Sequence, residues 1–136
     1  IMAYASGIGI SRMVHEELAA GATTLLRELI PPGNARVDAE IVATAAQQGD
    51  AVAGEILHTA GYYAGVGLSL IVQILNPELI VIGGGLVHIG PLVWEPALAA
   101  MHEHTQTELW DSVRVVPWQL GADLGILGAA AKVFAV

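Results

Sequence analysis

The chain has 136 residues, 54% of them hydrophobic and only 13% charged, where ordinary soluble domains carry roughly 25% charged residues. That excludes a disordered polar tail, and five Lys and Arg against 13 Asp and Glu, a net charge of −8, leave too few cations to neutralise a nucleic-acid backbone. There is no cysteine, hence no disulfide frame and no thiolate metal site, which agrees with a cytoplasmic location.

In chain order, the opening Ile-Met-Ala-Tyr-Ala-Ser-Gly lacks the basic region and apolar core of a signal peptide. It does not read as a natural beginning, and the chain is expected to be cut from something longer. Ser6 or Gly7 caps a first helix, in which Ile10, Met13, Val14 and Leu18 recur at helical spacing and Gly21 is the stop. Residues 23–29 are ambiguous, with one more helical turn expected. Pro31-Pro32-Gly33-Asn34 is the clearest loop. Asp38 caps a second helix with Ile41, Val42 and Ala45 inward and Gly49 at its end. Asp50 caps a long helix reaching about Leu75, where Asn76-Pro77 stops it. Its most apolar part, residues 64–75, is interrupted by Ser69 and Gln73 and is shorter than the about 20 residues of a membrane span. Gly61 and Gly65 fall on one face of this helix and permit another backbone to approach; a break at Gly65-Val66-Gly67 is the alternative.

Leu79-Ile80-Val81-Ile82, between Pro77 and three glycines, reads as a strand buried on both faces. Gly90-Pro91 opens a further helix, with Pro91 at its first position. Val113 to Trp118 alternates as a second strand. Asp123 caps a last helix running to about Phe134. The fold class is α/β and helix-rich, with a two-strand parallel β-α-β crossover of right-handed sense. Two strands are a poor sheet by themselves, so further strands are expected from sequence outside this chain or from a partner.

Chemistry has few places to sit. Gly83-Gly84-Gly85 follows a parallel strand, where ligands approach the backbone in open α/β sheets. It fits neither the dinucleotide fingerprint nor a P-loop, and a tight turn packed on a helix accounts for it equally well. The ligand reading requires the space over the three glycines to be clear of bulky side chains. Ser6-Gly7-Ile8-Gly9 offers helix-start amides to an anion, with a simple N-cap as the plainer reading. Gly121-Ala122-Asp123-Leu124-Gly125 before the last helix serves packing or a ligand. His15, His58, His88, His102 and His104 form no zinc-type ligand set. Only His88 falls near the glycines, where a solvated loop histidine explains it. Trp94, Trp110 and Trp118 are not interleaved with basic residues, so no nucleic-acid stacking surface is expected.

Taken together, these segments resemble a known family. Asn76-Pro77-Glu78-Leu79-Ile80-Val81-Ile82-Gly83-Gly84-Gly85-Leu86 is similar to the Asn-Pro-x-x-Ile-x-x-Gly-Gly-Gly segment of the ROK family (repressor, open reading frame, kinase). Tyr4-Ala5-Ser6-Gly7 resembles the Tyr-x-Ser-Gly that follows the family's zinc motif. Residues 121–130 resemble its C-terminal signature. The likeness covers nearly the whole chain in order.

The resemblance implies an actin/hexokinase-like (ribonuclease H-like) fold of two α/β lobes with ATP, magnesium and a sugar in the cleft. Residues 1–136 would be one fragment, the later part of the C-terminal lobe. Gly83, Gly84 and Gly85 would line the adenosine pocket, with Ser6 and Gly7 nearby; no catalytic or metal-binding residue is carried over. The family's phosphate loops, catalytic Asn-Asp pair, Glu-x-x-His sugar segment and Cys-rich structural zinc site would all precede residue 1. Met2 stands where the family has a sugar-contacting Glu.

The expected function is the ATP side of a glucokinase-like sugar kinase, inactive as an isolated piece. The alternative is the sugar-sensing, dimerising portion of a ROK transcriptional repressor, and a third reading is an oligomerising remnant without a ligand. The expected partners are the missing N-terminal lobe and a second copy, with no nucleic acid bound by this segment and no membrane.

Overall fold

The computed structural model describes residues 1, 3–118 and 130. The expected last helix, Asp123 and the segment 121–125 lie outside these residues.

The helical half begins with α1 (Gly7–Ala19), whose N-cap Ser6 accepts the Gly9 amide at 3.0 Å. It ends before Gly21, at φ +83. The ambiguous segment is a single turn, α2 (Leu26–Leu29). Helix α3 (Ala39–Gln47) leads directly into α4 (Ala51–Leu75), 25 residues that run unbroken through Gly65 and Gly67. At 1.5 Å per residue α4 is about 38 Å long. Asn76, in the left-handed conformation at φ 43, closes it by donating its N–H to the Val72 carbonyl.

Ile10, Val14, Leu26, Val37, Val42 and Leu57 are fully buried and form a core between α1, α2, α3 and the first half of α4. Asp50 ties this core together. Its carboxylate accepts the Thr24 hydroxyl at 2.7 Å, the Leu25 amide at 2.5 Å and the Ala53 amide at 2.8 Å, so one side chain caps α4 and anchors the entry to α2.

The second half pairs α4 with α5 (Pro91–Glu103). A β-carbon at Gly61 would run into the Val93 carbonyl and the Pro96 ring, and one at Gly65 into the Ala97 carbonyl. The two glycines therefore let the helices meet backbone to backbone. Pro96 removes one internal hydrogen bond from α5 and is accommodated because Gly61 faces it.

Among the described residues the sheet has two parallel strands, β1 (Leu79–Ile82) and β2 (Arg114–Pro117), in register from Leu79 opposite Arg114 to Ile82 opposite Pro117. They are linked through a 3₁₀ turn over Gly85–Ile89, α5 and the single turn α6 (Thr107–Trp110). The expectation that β1 is buried on both faces is corrected here. Ile80 and Ile82 are half-buried, but Leu79 and Val81 are exposed, Val81 to 58%. Alternate side chains leave a strand on opposite faces, and only one face of this sheet meets helices among the described residues.

Candidate functional site

Ser11, in the second turn of α1, uses its hydroxyl to accept the Val37 amide at 2.9 Å. Val37 is fully buried, and the His15 Nε2 lies 3.3 Å from the Ala35 carbonyl. These contacts pin the extended approach to α3 against α1. With Val37 turned inward, its neighbours Arg36 and Asp38 are exposed.

They face a cleft of about 470 Å³ whose lining includes Gly7, Arg36, Asp38, Glu40 and Gly85. The volume falls within the roughly 300–1,000 Å³ of small-molecule sites. Gly7 and Gly85, far apart in the sequence, thus share one cavity. The Arg36 guanidinium passes 3.3 Å from where a Gly7 β-carbon would stand. Asp38 is the N-cap residue of α3, yet its carboxylate accepts no capping hydrogen bond. One wall therefore carries a guanidinium beside the start of α1, and the other carries the carboxylates of Asp38 and Glu40.

The three consecutive glycines have different surroundings. The Trp118 indole rests directly against Gly83, in the space a β-carbon would need. The missing side chain there admits the indole, so the condition of free space is not met at Gly83. Gly84 has φ +105, which residues with a β-carbon rarely adopt. Among the described residues nothing lies within 4 Å of the β-carbon positions of Gly84 and Gly85. Gly83 instead borders a separate apolar cavity of about 250 Å³ with Ile71, Ile82 and Trp94. Ser6 caps α1 next to the cleft, and His88 is exposed in the 3₁₀ turn.

A third cavity of about 440 Å³ lies between α1 and α4 and is bordered by Glu16, Glu17 and Glu55. Three carboxylates without a lining cation repel a phosphate, so this cavity does not compete for an anionic ligand. The Arg12 guanidinium beside it is committed to Glu16 at 2.5 Å and lies over the Tyr4 ring, 5.1 Å from its centroid. Tyr4 in turn stacks on Tyr63 at 4.2 Å and fastens the opening turn to α4. Among the described residues no three His, Asp or Glu side chains converge to hold a metal.

A profile of the ROK family matches residues 1–135. The chain belongs to the ROK family. The glucokinase of Streptomyces coelicolor is 30% identical over 135 residues, which cover 93% of this chain and 41% of that protein. The ROK chain thus spans about two fifths of the length of that relative. Among solved structures, a ROK family glucokinase from Streptomyces griseus in complex with glucose and AMPPNP superposes with a TM-score of 0.77 at 28% identity, over 96% of this chain and 43% of that one. A ROK family transcriptional regulator, homolog of the E. coli MLC protein, matches with a TM-score of 0.72 at 22% identity, over 85% of this chain and 28% of that one. The architecture is that of the actin/hexokinase-like ROK sugar kinases.

Arg36, Asp38 and Glu40 escape the reading of the sequence as cleft residues. The available signal was a charged alternation, Arg36-Val37-Asp38, straight after the Pro-Pro-Gly-Asn loop. The sequence offers Asp38 a capping role, which its carboxylate does not perform.

Proposed function

We propose that this chain is the later part of the C-terminal lobe of an ATP-dependent hexose kinase of the glucokinase type, and that it supplies the nucleotide-facing wall. The observation that carries this reading is the convergence of Gly7 and Gly85 on one cleft with Arg36 and Asp38. The kinship with glucokinases, one of them solved with glucose and AMPPNP, supports it.

The residues present suit a nucleotide. The positions at Gly84 and Gly85 leave room for a ligand against bare backbone. Arg36 offers a permanent cation to a phosphate. A magnesium ion, which offsets charge on the transferring phosphoryl group, would be held by the triphosphate and by groups outside this chain. The general base that accepts the sugar hydroxyl's proton lies outside it too. In this reading the chain binds and orients the phosphoryl donor and leaves proton transfer to the facing wall. The protein would work in the cytoplasm, and the family's zinc site would lie upstream of residue 1.

The test is a coupled ADP-release assay on the complete polypeptide that contains these residues, with glucose, fructose and N-acetylmannosamine as acceptors. Turnover with one of them is expected, and absence of turnover with all three removes the kinase reading.

One observation favours a second reading. Position 2 is Met, where the resemblance implies a sugar-contacting Glu, and a thioether accepts hydroxyl hydrogen bonds poorly. That departure weakens the kinase reading, and the alternative is the sugar-sensing, dimerising portion of a ROK repressor. A helix-turn-helix N-terminal to these residues in the complete polypeptide decides for the repressor.

A further inference from the structure

The charges in the cleft are arranged asymmetrically, and the asymmetry dictates how a nucleotide lies in it. Arg36 stands beside the first turn of α1, while Asp38 and Glu40 open α3. A polyphosphate running along the α3 wall would meet two carboxylates; running toward Arg36 it meets a guanidinium. A sugar with vicinal hydroxyls suits the acidic wall, because ionised carboxylates are acceptors only and need donors.

Asp38 is the better placed of the two acids for this task. Val37, immediately before it, is fully buried and held by the Ser11 hydroxyl, so the backbone that carries Asp38 is fixed. Its carboxylate is exposed to the cleft and unused as a helix cap.

We propose that Asp38 accepts hydrogen bonds from the ribose hydroxyls of the bound nucleotide, while Arg36 draws its phosphates toward α1. This rests on the nucleotide reading given above. The ribose would therefore be a specificity determinant of this cleft, and Asp38 the residue that reads it.

The experiment measures dissociation constants by calorimetric titration of the complete polypeptide with ATP, 2′,3′-dideoxy-ATP and adenosine, without any sugar acceptor. Binding is read directly, so the outcome does not depend on turnover. The wild type is expected to hold ATP about tenfold more tightly than the dideoxy analogue, the range of a hydrogen bond to a charged group. Asp38→Asn is expected to reduce that preference to about twofold or less, because a neutral acceptor loses the charge-assisted part. Arg36→Gln is expected to weaken ATP while leaving adenosine unchanged. Asp38→Ser, which keeps a residue favoured at helix N-caps, separates ligand contact from any effect on α3.

Equal affinity of the wild type for ATP and the dideoxy analogue overturns the proposal without recourse to any variant. So does a preference for ATP that persists in both Asp38 variants, or an Arg36→Gln protein that loses ATP and adenosine alike. No ATP binding by the wild type overturns the nucleotide reading itself, and this inference with it.

Discussion

Asp50 shows how much one side chain holds in this chain. Burial alone would push its carboxyl pKa up, but the Ala53 amide, the Thr24 hydroxyl and the amides of Leu25 and Val52 outweigh that and hold it below the ordinary carboxylate value. The charged form is thus favoured by folding. Its stabilising contribution is complete above pH about 4, where the unfolded carboxyl is already ionised, and is lost as pH falls through the lower folded value. Asp50→Ala is expected to cost about 3 kcal/mol, since it removes a helix cap and strands the donors that the carboxylate satisfies. Asp50→Asn should flatten the acid limb of the stability profile. Urea melts between pH 2 and 7 check both; an unchanged acid limb in Asp50→Asn would show that other carboxyls control it.

Among the elements, the seam between α4 and α5 makes the sharpest contrast. Adding a methyl group at Gly65 removes a helix-interior glycine, a gain of about 1 kcal/mol, but drives a carbon into the Ala97 carbonyl. Backbone cannot step aside as a side-chain end can, so overpacking of about 1–3 kcal/mol dominates. At Gly54 a β-carbon meets nothing within 4 Å, and only the propensity gain remains. Gly65→Ala is therefore expected to lower the melting temperature and Gly54→Ala to raise it; shifts in the same direction would show that the seam is not as tight as described. This seam was legible in the sequence, because a four-residue glycine spacing puts both positions on one helical face. So were the caps at Ser6 and Asp50 and the stop at Asn76-Pro77, each set by local chemistry. The burial of β1 was not, since four apolar residues in a row look the same whether one face or both are covered. The cleft was half legible. Gly7 and Gly85 announce themselves as backbone without side chains, whereas Arg36 and Asp38 enter only through the Ser11–Val37 contact, which no spacing rule reveals. In the sequence Gly83 reads with its neighbours equally as a ligand floor or as a packed turn, and what distinguishes it is the Trp118 indole lying against it.

For the whole molecule, the apolar surface is distributed unevenly. Ile74 and Leu75, at the end of α4, are exposed to 77% and 70%, and Leu79 and Val81 of β1 are exposed as well. No residue between Tyr62 and Asn76 carries a formal charge to oppose association there. The chain in isolation is expected to self-associate through this surface. Sedimentation velocity should show species larger than a monomer, and Ile74→Asp with Leu75→Asp should shift the distribution toward the monomer. A monodisperse monomer for the unmodified chain would contradict this.

The backbone contact of α4 with α5 has a mechanical consequence. At Gly61 and Gly65 the helix backbones come close enough that no side chain fits between the glycine and the facing carbonyl, which resists sliding of one helix along the other. Helix α3, packed on the opposite end of α4, travels with the same shaft. The two sides of the cleft are therefore both carried on α4, and its width is expected to change little when a ligand enters. On that expectation, a ligand here is clamped by material swinging in from elsewhere, as a jaw closes on an anvil.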